Sequence, residues 1–588
     1  MSPKIAVSKF KKSESSRETA SRPTLRGVKT YKTPDGDALR IVPLGGLEEI
    51  GRNSTFLEYK NEIVILDMGI QFPEEETPGI DYIIPNVSYL EKKKENIRAL
   101  VISHAHYDHI GAIPYLMGKI GNPPLYATAL TKEIIAKRQD DFPNAPKLNM
   151  ILVKNGDRVP LGNYFSAEFF DVAHTVPDTT GVVFMTPAGN VAHCADFRID
   201  YDEKGLPQGL ENFERAAKLG VDVLMLDSTN AEEEGFSVSE RDVEKNLEKL
   251  FLTAHGRIVL ATFSSMLTRI GEILKIAERL GRHVAINGFS MKSNVQIAQN
   301  LGYIKVKPDL IIPMEEVNKH RDENILILST GAQGESNAGL MKIVNGENRF
   351  IRVKPGDTFI FSSSVIPGNE RSVQTLKDNL SRQGARVYTS RIIDIHSSGH
   401  APQEELKQVI KILKPKYLMP VHGYYFMRTT NADLGVQVGM PRENTIVVDN
   451  GEIIELSKKG LRILSERVDA FYVMVDGLGV GDVEEVVLRD RKILSHEGMV
   501  VVILTLGKDS PRLLKNPDII SRGFIYLREN QILLDEIRKR LRALLGRLPA
   551  DRPFDGDYVK GLVRDQVGQY LYTKTKRRPM ILPVIIEV

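Results

Sequence analysis

The sequence of 588 residues is poor in cysteine and in long apolar runs, and each shortage excludes a class of protein. A single cysteine, Cys194, excludes an internal disulfide framework and favours a reducing compartment. The longest apolar stretches, Met499 to Leu506 and Met580 to Ile586, are far shorter than the ~18 residues that span a bilayer. Residues 1–32 lack the apolar centre of a secretory signal. We therefore expect a cytoplasmic protein without a membrane segment.

Net charge is also small, at +3, and by itself it indicates no partner. The charge is unevenly distributed, because residues 1–32 hold nine Lys and Arg against two Glu. A basic, serine-rich arm of this kind is typical of a disordered tail, and contact with RNA phosphates is the alternative interpretation. The rest of the chain is slightly acidic.

Histidine is scarce, with 12 in the chain, but several histidines lie together after a predicted strand. Within six residues, three histidines and an aspartate follow the apolar run that ends at Ser103: His104, His106, Asp108 and His109. Imidazole and carboxylate suit Zn²⁺, so this loop predicts a metal site. Other predicted strands end near three more candidate ligands: His174, Asp196 and His422. These seven side chains suffice for two metal ions that share one carboxylate.

The order of predicted elements indicates an α/β protein with more than one unit. Short apolar runs divided by turn residues predict strands up to about residue 235. Helices and strands then alternate between residues 236 and 390, which is typical of a parallel sheet covered on both faces. Polar motifs return between residues 391 and 450. In layered α/β folds, sites collect at the carboxyl ends of strands.

The ligand pattern resembles the metallo-β-lactamase superfamily, whose HxHxDH loop is similar to residues 104–109 here. The resemblance implies that Asp67 supports the metal loop from the preceding strand. One Zn²⁺ is then expected at His104, His106 and His174, and the other at Asp108, His109 and His422, with Asp196 bridging. Mn²⁺ and Mg²⁺ are the expected substitutes.

Further motifs are similar to the β-CASP nucleases and, among them, to bacterial ribonuclease J. The stretch between Asp196 and His422 holds the second α/β unit, as in nucleases with an inserted domain. Asp227, His400 and His422 match three β-CASP motifs. The segments that are similar to ribonuclease J are 43–53, 330–335, 366–370, 517–524 and 579–583.

This resemblance covers residues 39–588 and implies an αββα metallo-β-lactamase core, an inserted β-CASP α/β domain and a small α/β C-terminal domain. The expected units are a basic arm (1–38), the first part of the core (39–235), the β-CASP domain (236–390), the second part of the core (391–450), a linker with strands that complete the core (451–510), and a C-terminal oligomerisation domain (511–588). A homodimer or homotetramer is implied. The charges from Arg538 to Arg547 fit a solvated helix face first and a partner surface second.

The implied function is a zinc-dependent ribonuclease that degrades single-stranded RNA from 5′-monophosphate ends and also cuts internally. Roles in mRNA decay and rRNA maturation follow, with RNA-decay or ribosome-associated partners. The resemblance implies that two metal ions, held by these seven side chains, would lower the pKa of water and so supply a hydroxide for attack on phosphorus. His400 is expected to transfer a proton or to stabilise the transition state, with Asp227 orienting that region. A purely structural hydrogen bond of His400 with Ser398 is the alternative.

Binding of a 5′ phosphate favours small residues with free N–H and hydroxyl groups. The candidates are the Ser362 and Ser364 hydroxyls and the loop formed by His396, Ser397, Ser398, Gly399 and His400. For the serine run, a plain strand-to-turn sequence is the alternative. Tyr424 and Phe426 stand where the family pattern has a polar and a basic residue, which puts the grip on RNA or the end preference in question.

Two aspartates and the single cysteine are further candidates for a structural role. Asp81 and Asp476 are candidates for a structural divalent ion, although loop aspartates are more often solvated. Cys194 is expected to be a small buried residue.

A catalytically silent scaffold of the same fold would have lost ligands, and none of the seven is missing. A hydrolase of small esters or lactams would leave the inserted unit and the His400 motif without a purpose.

Overall fold

The computed structural model describes residues 36–588 except 74–76, 336–337, 367–368, 478, 482–484, 509, 511, 525–529 and 550–554. Nearly all of the predicted basic arm, and part of the 366–370 motif, lie outside the described residues.

The first part of the chain is rich in short strands. Its strands are β1 (Leu39–Gly45), β2 (Ser54–Tyr59), β3 (Glu62–Leu66), β4 (Tyr82–Ile84), β5 (Ile97–Val101), β6 (Leu125–Ala127), β7 (Met150–Leu152), β8 (Arg158–Pro160), β9 (Ser166–Asp171), β10 (Thr180–Thr186), β11 (Gly189–His193) and β12 (Val223–Asp227). Its helices are α1 (Ser88–Glu91), α2 (Tyr107–Ile110), α3 (Ile113–Leu116), α4 (Ala129–Gln139) and α5 (Leu210–Ala217).

Helices and strands alternate in the middle of the chain. They are α6 (Glu240–Thr253), β13 (Ile258–Ala261), α7 (Leu267–Arg279), β14 (His283–Asn287), α8 (Phe289–Asn300), β15 (Ile311–Ile312), β16 (Ile325–Ser329), α9 (Gly339–Val344), β17 (Thr358–Phe361), α10 (Glu370–Arg382) and β18 (Arg386–Thr389). The remaining elements are α11 (Gln403–Leu413), β19 (Tyr417–Val421), α12 (Tyr425–Gln437), β20 (Glu452–Ser457), β21 (Gly460–Arg467), β22 (Val473–Asp476), β23 (Gly479–Val480), α13 (Glu485–Glu497), β24 (Met499–Leu506), β25 (Asp518–Arg522), α14 (Gln531–Leu545), α15 (Gly556–Thr575) and β26 (Met580–Glu587).

Two sheets packed face to face form the core. Their strand orders are β21-β20-β1-β2-β3-β5-β6-β7 and β19-β12-β11-β10-β9-β8. Apolar side chains from both sheets fill the layer between them, including Leu57, Val101, Phe169, Phe184 and Met225. Helices cover the two outer faces, which gives the layers the order αββα and confirms the predicted fold class.

The middle segment forms a parallel sheet with the order β15-β14-β16-β13-β17-β18. Its central strands β13 and β16 are buried along their whole length, as expected when helices cover both faces of a sheet. Helices α6 and α7 pack on each other, and α7 and α8 contact β14. The alternation predicted for residues 236–390 is therefore present.

The end of the chain forms a small unit in which α14 and α15 cover one face of the sheet β25-β24-β26. Strand β24 lies before the predicted boundary at residue 511, yet it pairs with β25 and β26 rather than with the core. Among the described strands of segment 451–510, β20 and β21 extend the core sheet next to β1, β22 pairs with β4, and β24 belongs to the C-terminal sheet. Among the described helices, none is long and apolar enough to cross a membrane.

The carboxyl ends of six core strands meet at one edge of the sandwich. Strands β3 and β5 are parallel in one sheet, and β9, β11, β12 and β19 share a direction in the other. Three non-glycine residues just after these strands adopt a positive φ: Asp67 (58°), Ala195 (56°) and His422 (56°). Such strained backbone turns the chain sharply, and it clusters at functional sites.

Candidate metal centre

Three histidines and one aspartate converge at this edge. His106 Nδ1 lies 3.1 Å from His104 Nε2 and 3.2 Å from His174 Nε2. Asp196 Oδ2 lies 3.6 Å from His104 Nε2. One ligand atom from each of the four residues lies within 4.8 Å of the others, which is close enough for all four to reach one ion.

Asp196 also belongs to a second group with His109 and His422. Asp196 Oδ2 is 3.2 Å from His109 Nε2, and Asp196 Oδ1 is 2.8 Å from His422 Nδ1. Asp108, predicted as a ligand here, lies at the margin of the group, with Oδ2 3.4 Å from His109 Nε2. Asp196 therefore stands between two groups of histidines, as a bridging carboxylate must.

Two buried polar atoms of the second group have no hydrogen-bond partner among the described residues and are placed to bind a cation. Asp196 Oδ1 and His422 Nδ1 are buried, and neither makes a hydrogen bond with a described residue despite their 2.8 Å separation. Buried polar atoms without a partner are costly, and a shared divalent ion would satisfy both. The residues present thus fit a divalent metal.

Neighbouring groups fix the orientation of the imidazole rings. Asp67 accepts hydrogen bonds from Ser103 N–H and Oγ, both at 2.8 Å, and its Oδ2 lies 2.8 Å from His109 Nδ1. His174 Nδ1 donates to the Gly399 carbonyl at 2.7 Å. Because a carbonyl only accepts, His174 Nε2 is left free to bind a metal.

Burial keeps the first group of histidines neutral. It lowers the pKa of all three rings, and in each case the charge of neighbouring histidines adds to the effect: His104, His106 and His174. Neutral imidazole is the form that coordinates metal.

In the second group, charged neighbours outweigh burial in setting the pKa values. Burial alone would lower the pKa of His109, but the carboxylates of Asp196, Asp108 and Asp67 outweigh it and raise that pKa. Burial would likewise raise the pKa of Asp196, yet His109 and His422 hold it well below its usual range. This half of the site is therefore arranged to hold positive charge.

His400 lies beside the two groups and is tied to Asp227. Its Nδ1 is 2.7 Å from Asp227 Oδ2, while its backbone N–H donates to Ser398 Oγ at 3.2 Å. The hydrogen bond with Ser398 thus involves the backbone, and the ring is oriented by Asp227. Burial opposes protonation, but Asp227 and Asp196 raise the pKa of His400 to about 9.

The predicted phosphate-binding residues separate into two locations. Ser362 is buried against the loop, where its Oγ donates to the Ile395 carbonyl at 2.7 Å and accepts from Arg269 Nη1 at 3.0 Å. Ser364 is exposed, and only its carbonyl has a described hydrogen bond. Ser362 is therefore part of the framework of loop 396–400.

That loop rests on two buried arginines. Arg198 and Arg269 both pair with Glu240, and Arg198 Nη1 donates to the Ser398 carbonyl at 3.1 Å. Asp200 adds a second carboxylate, 3.2 Å from Arg198 Nε. Arg269 connects the inserted sheet to the loop, since it bonds both Ser362 and Ile395.

Sequence reasoning missed two residues that contact the metal groups. Asn53 Nδ2 donates to Asp108 Oδ2 at 3.2 Å and lies 2.9 Å from His109 Nε2. His193 Nδ1 accepts the Ala195 N–H at 3.1 Å and so supports the turn that leads to Asp196. Asn53 lies in the recognised segment 43–53, and the position of His193, three residues before a ligand, was the available signal.

The remaining candidates lie away from the centre. Asp81 Oδ2 accepts the Gly477 N–H at 2.7 Å, and Asp476 pairs with Arg491. No third ligand joins these two aspartates among the described residues, and the structural ion stays a prediction. Cys194 is buried, and burial raises the pKa of its thiol.

An αββα sandwich with histidine and aspartate ligands at its strand ends, interrupted by a parallel sheet, defines a metallo-β-lactamase-fold hydrolase with an inserted domain. Family profiles agree: a beta-lactamase superfamily domain matches residues 78–286, a ribonuclease J beta-CASP domain 255–380, a Zn-dependent metallo-hydrolase RNA specificity domain 384–441, and a ribonuclease J C-terminal domain 486–588.

Curated relatives match almost the whole chain. Ribonuclease J 1 of Streptococcus pyogenes is 38% identical over 547 residues, which are 93% of this chain and 97% of that protein. Ribonuclease J of Thermus thermophilus is 37% identical (94% and 96%), and ribonuclease J2 of Bacillus subtilis is 34% identical (95% and 100%). The chain belongs to the ribonuclease J family and is a metal-dependent ribonuclease that binds RNA.

A solved structure shares the fold at low identity. A protein of unknown function from Enterococcus faecalis is 19% identical, with a TM-score of 0.52, and covers 71% of this chain and 100% of its own.

Proposed function

We propose that this protein is a two-zinc ribonuclease that degrades single-stranded RNA in the 5′-to-3′ direction from 5′-monophosphate ends and also cuts internally. We place it in the cytoplasm, in mRNA decay and in the maturation of rRNA and other RNAs. The observation that carries the proposal is the position of Asp196 between two histidine groups, which provides for two ions rather than one.

The ligand sets follow from the contacts. His104, His106 and His174 would hold one ion, and His109, His422 and the marginal Asp108 the other, with Asp196 between them. Imidazole-rich sets favour Zn²⁺, with Mn²⁺ and Mg²⁺ as substitutes. When bound, the ions supply Lewis acidity that activates water for in-line attack and neutralises charge on the phosphate.

His400 is the proposed proton donor to the leaving oxygen. Its raised pKa keeps the ring protonated near neutral pH, and Asp227 holds Nδ1 so that Nε2 is the atom left for substrate. Asp227 is itself held by Thr229, whose N–H and Oγ donate to its Oδ1 at 2.9 and 2.7 Å. Asp227 is thus a positioning residue.

The 5′ phosphate is proposed to bind at loop 396–400. Two buried guanidinium groups, Arg198 and Arg269, stand behind the loop. Glu240 and Asp200 balance their charge, so the arginines hold the loop in place, and its serine hydroxyls and N–H groups are the donors that suit a compact dianion. If the pocket has room for one phosphate group only, a 5′ monophosphate would fit it and a 5′ triphosphate would not.

The test compares RNAs with 5′-monophosphate, 5′-triphosphate and 5′-hydroxyl ends, labelled at the 5′ end, in parallel with metal analysis. Release of labelled mononucleotide chiefly from the monophosphate RNA, with about two metal ions per chain, is expected. His104→Ala should abolish cleavage and reduce the metal content. Intact RNA after incubation with the fully metal-loaded protein would refute the proposal.

The C-terminal unit is the proposed site of dimer or tetramer formation. One face of its sheet carries exposed apolar side chains, Leu582, Val584 and Ile586, with 40–47% of their surface accessible. An exposed apolar sheet face favours association with a partner surface. Light scattering of the full chain and of Val584→Lys is the measurement, and a smaller particle is expected for the variant.

A further inference from the structure

Three aromatic side chains lie exposed immediately after His422. Tyr424, Tyr425 and Phe426 have 36%, 57% and 49% of their surface accessible. Consecutive Cα atoms are about 3.8 Å apart, so Tyr424 Cα lies within about 8 Å of the Cα of His422. The backbone at Tyr424 therefore lies close to a candidate metal ligand, and the three residues fall in the segment matched by the RNA specificity domain, residues 384–441.

Two of the rings form a parallel pair. The ring planes of Tyr424 and Phe426 are inclined by 6°, with centroids 6.0 Å apart. Exposed aromatic surface is costly in water, and two rings held parallel offer flat faces to a planar ligand. We name this pair, Tyr424 and Phe426, the aromatic platform.

The backbone that carries the platform is held firmly. The Gly423 N–H donates to the carbonyls of Gly46 and Glu49, at 3.2 and 3.0 Å. Buried Arg428 donates from Nε to the Gly423 carbonyl at 3.2 Å and lies under the Tyr425 ring, 5.6 Å from its centroid. A fixed backbone reduces the entropy that is lost when a ligand stacks on the platform.

We propose that the aromatic platform is a nucleobase-stacking subsite for single-stranded RNA next to the scissile phosphate. This inference rests on the proposed function. Base stacking on aromatic rings is tolerant of sequence, because every base has a π-face, and it suits an enzyme that moves along RNA.

The experiment uses 5′-monophosphorylated RNAs in which one abasic nucleotide is moved along the chain. For the wild-type protein, KM is expected to rise about fivefold or more at one position near the cleaved bond, the effect of one lost stacking contact. The variant Tyr424→Leu/Phe426→Leu should show the raised KM on intact RNA and no further rise at that position, with kcat within about twofold of wild type.

Two variants separate stacking from a structural role. Tyr424→Trp/Phe426→Trp keeps aromatic faces and should retain the wild-type response to the abasic position. Tyr558→Leu removes an aromatic ring with 59% of its surface accessible, in the first turn of α15, and should leave KM unchanged. Equal abasic effects in the wild-type protein and the leucine variant would overturn the proposal.

A binding measurement distinguishes failure of this inference from failure of the proposed function. RNA with 2-aminopurine at the sensitive position, or at each position in turn if no cleavage occurs, is titrated with His400→Ala protein. The 2-aminopurine fluorescence should be quenched by His400→Ala protein and not by protein that carries Tyr424→Leu/Phe426→Leu as well as His400→Ala. That result supports the subsite even if the RNA is never cut. Unchanged quenching in that variant overturns it, whatever the nuclease activity.

Discussion

The core sandwich and the inserted sheet both bring the carboxyl ends of parallel strands to one edge, but the two edges differ in chemistry. The sandwich edge carries imidazoles and carboxylates. The inserted edge carries neutral groups that bond to each other: Thr262 Oγ donates to the Ser362 carbonyl at 2.9 Å, and Asn287 Nδ2 donates to Ser329 Oγ at 3.1 Å. Similar strand geometry thus supports a reactive centre in one case and a rigid frame in the other.

Hydrogen bonds and ion pairs of two arginines and one glutamate connect the two edges. Arg269 on α7 bonds Ser362 at the inserted edge and the Ile395 carbonyl in the loop beside the metal centre. Glu240, on α6, pairs with Arg269 and with Arg198 from the core. The inserted unit therefore positions the loop from behind, and no described residue at its strand ends belongs to the candidate ligand groups.

The largest effect is expected from Asp196→Asn at the sandwich edge. Loss of the shared charge should reduce kcat/KM at least about a thousandfold, equivalent to about 4 kcal/mol, because both ions lose a ligand. RNA cleavage and metal content per chain are the measurements. Ser329→Ala at the inserted edge is the matched control, with activity within about threefold. Full activity of Asp196→Asn would show that the sandwich edge is not the reactive centre.

The next effect concerns His400. His400→Gln should lower kcat about a hundredfold, the usual range for losing a proton donor, while the metal content and KM change little. Asp227→Asn should give a smaller loss, because the ring remains but loses its orienting carboxylate. Rapid-quench measurement of kcat tests both variants. A wild-type kcat in His400→Gln would assign the ring a structural role.

The link between the edges is tested through Glu240. The charges of Arg198 and Arg269 outweigh burial and hold the pKa of Glu240 at about 2. Because that pKa is depressed, its contribution to stability is present above the unfolded value and is lost as pH falls towards about 2. Glu240→Gln should therefore destabilise the protein by about 3 kcal/mol at pH 7, because buried Arg269 loses its carboxylate partner and Arg198 keeps only Asp200.

Thermal unfolding of wild-type protein and Glu240→Gln between pH 7 and pH 3 is the measurement. The difference in midpoint should shrink below about pH 4.5, because Glu240 of the unfolded wild-type chain then begins to take up protons while the folded carboxylate stays ionised. Glu244→Gln, one helical turn later in α6, is the control and should shift the midpoint little, because Glu244 is half-buried and its partner Arg279 is exposed. A difference that does not depend on pH would show that Glu240 acts through packing alone.

Local patterns predict several elements and the convergence of the candidate ligands. Each candidate ligand follows an apolar run that forms a strand, and α6 (Glu240–Thr253) lies in the stretch of predicted alternation, where its apolar spacing and its Ser239 cap are local signals. Helix α15 was not predicted, since its glycines and β-branched residues weaken helix propensity and packing in the C-terminal core overrides them. The Arg198–Glu240–Arg269 link joins distant segments, and no short-range pattern indicates such contacts.

The smallest effect is expected where the frame meets the loop. Ser362→Ala removes one hydrogen bond to the Ile395 carbonyl and one from Arg269, a loss of about 1 kcal/mol that should raise KM for monophosphorylated RNA about fivefold. Ser364→Ala is the matched control two residues away, and its exposed hydroxyl should contribute nothing to KM. If Ser364→Ala gives the larger change, the phosphate contacts the exposed serine directly and the inserted edge takes part in binding. Equal and small changes in both would confine phosphate binding to loop 396–400.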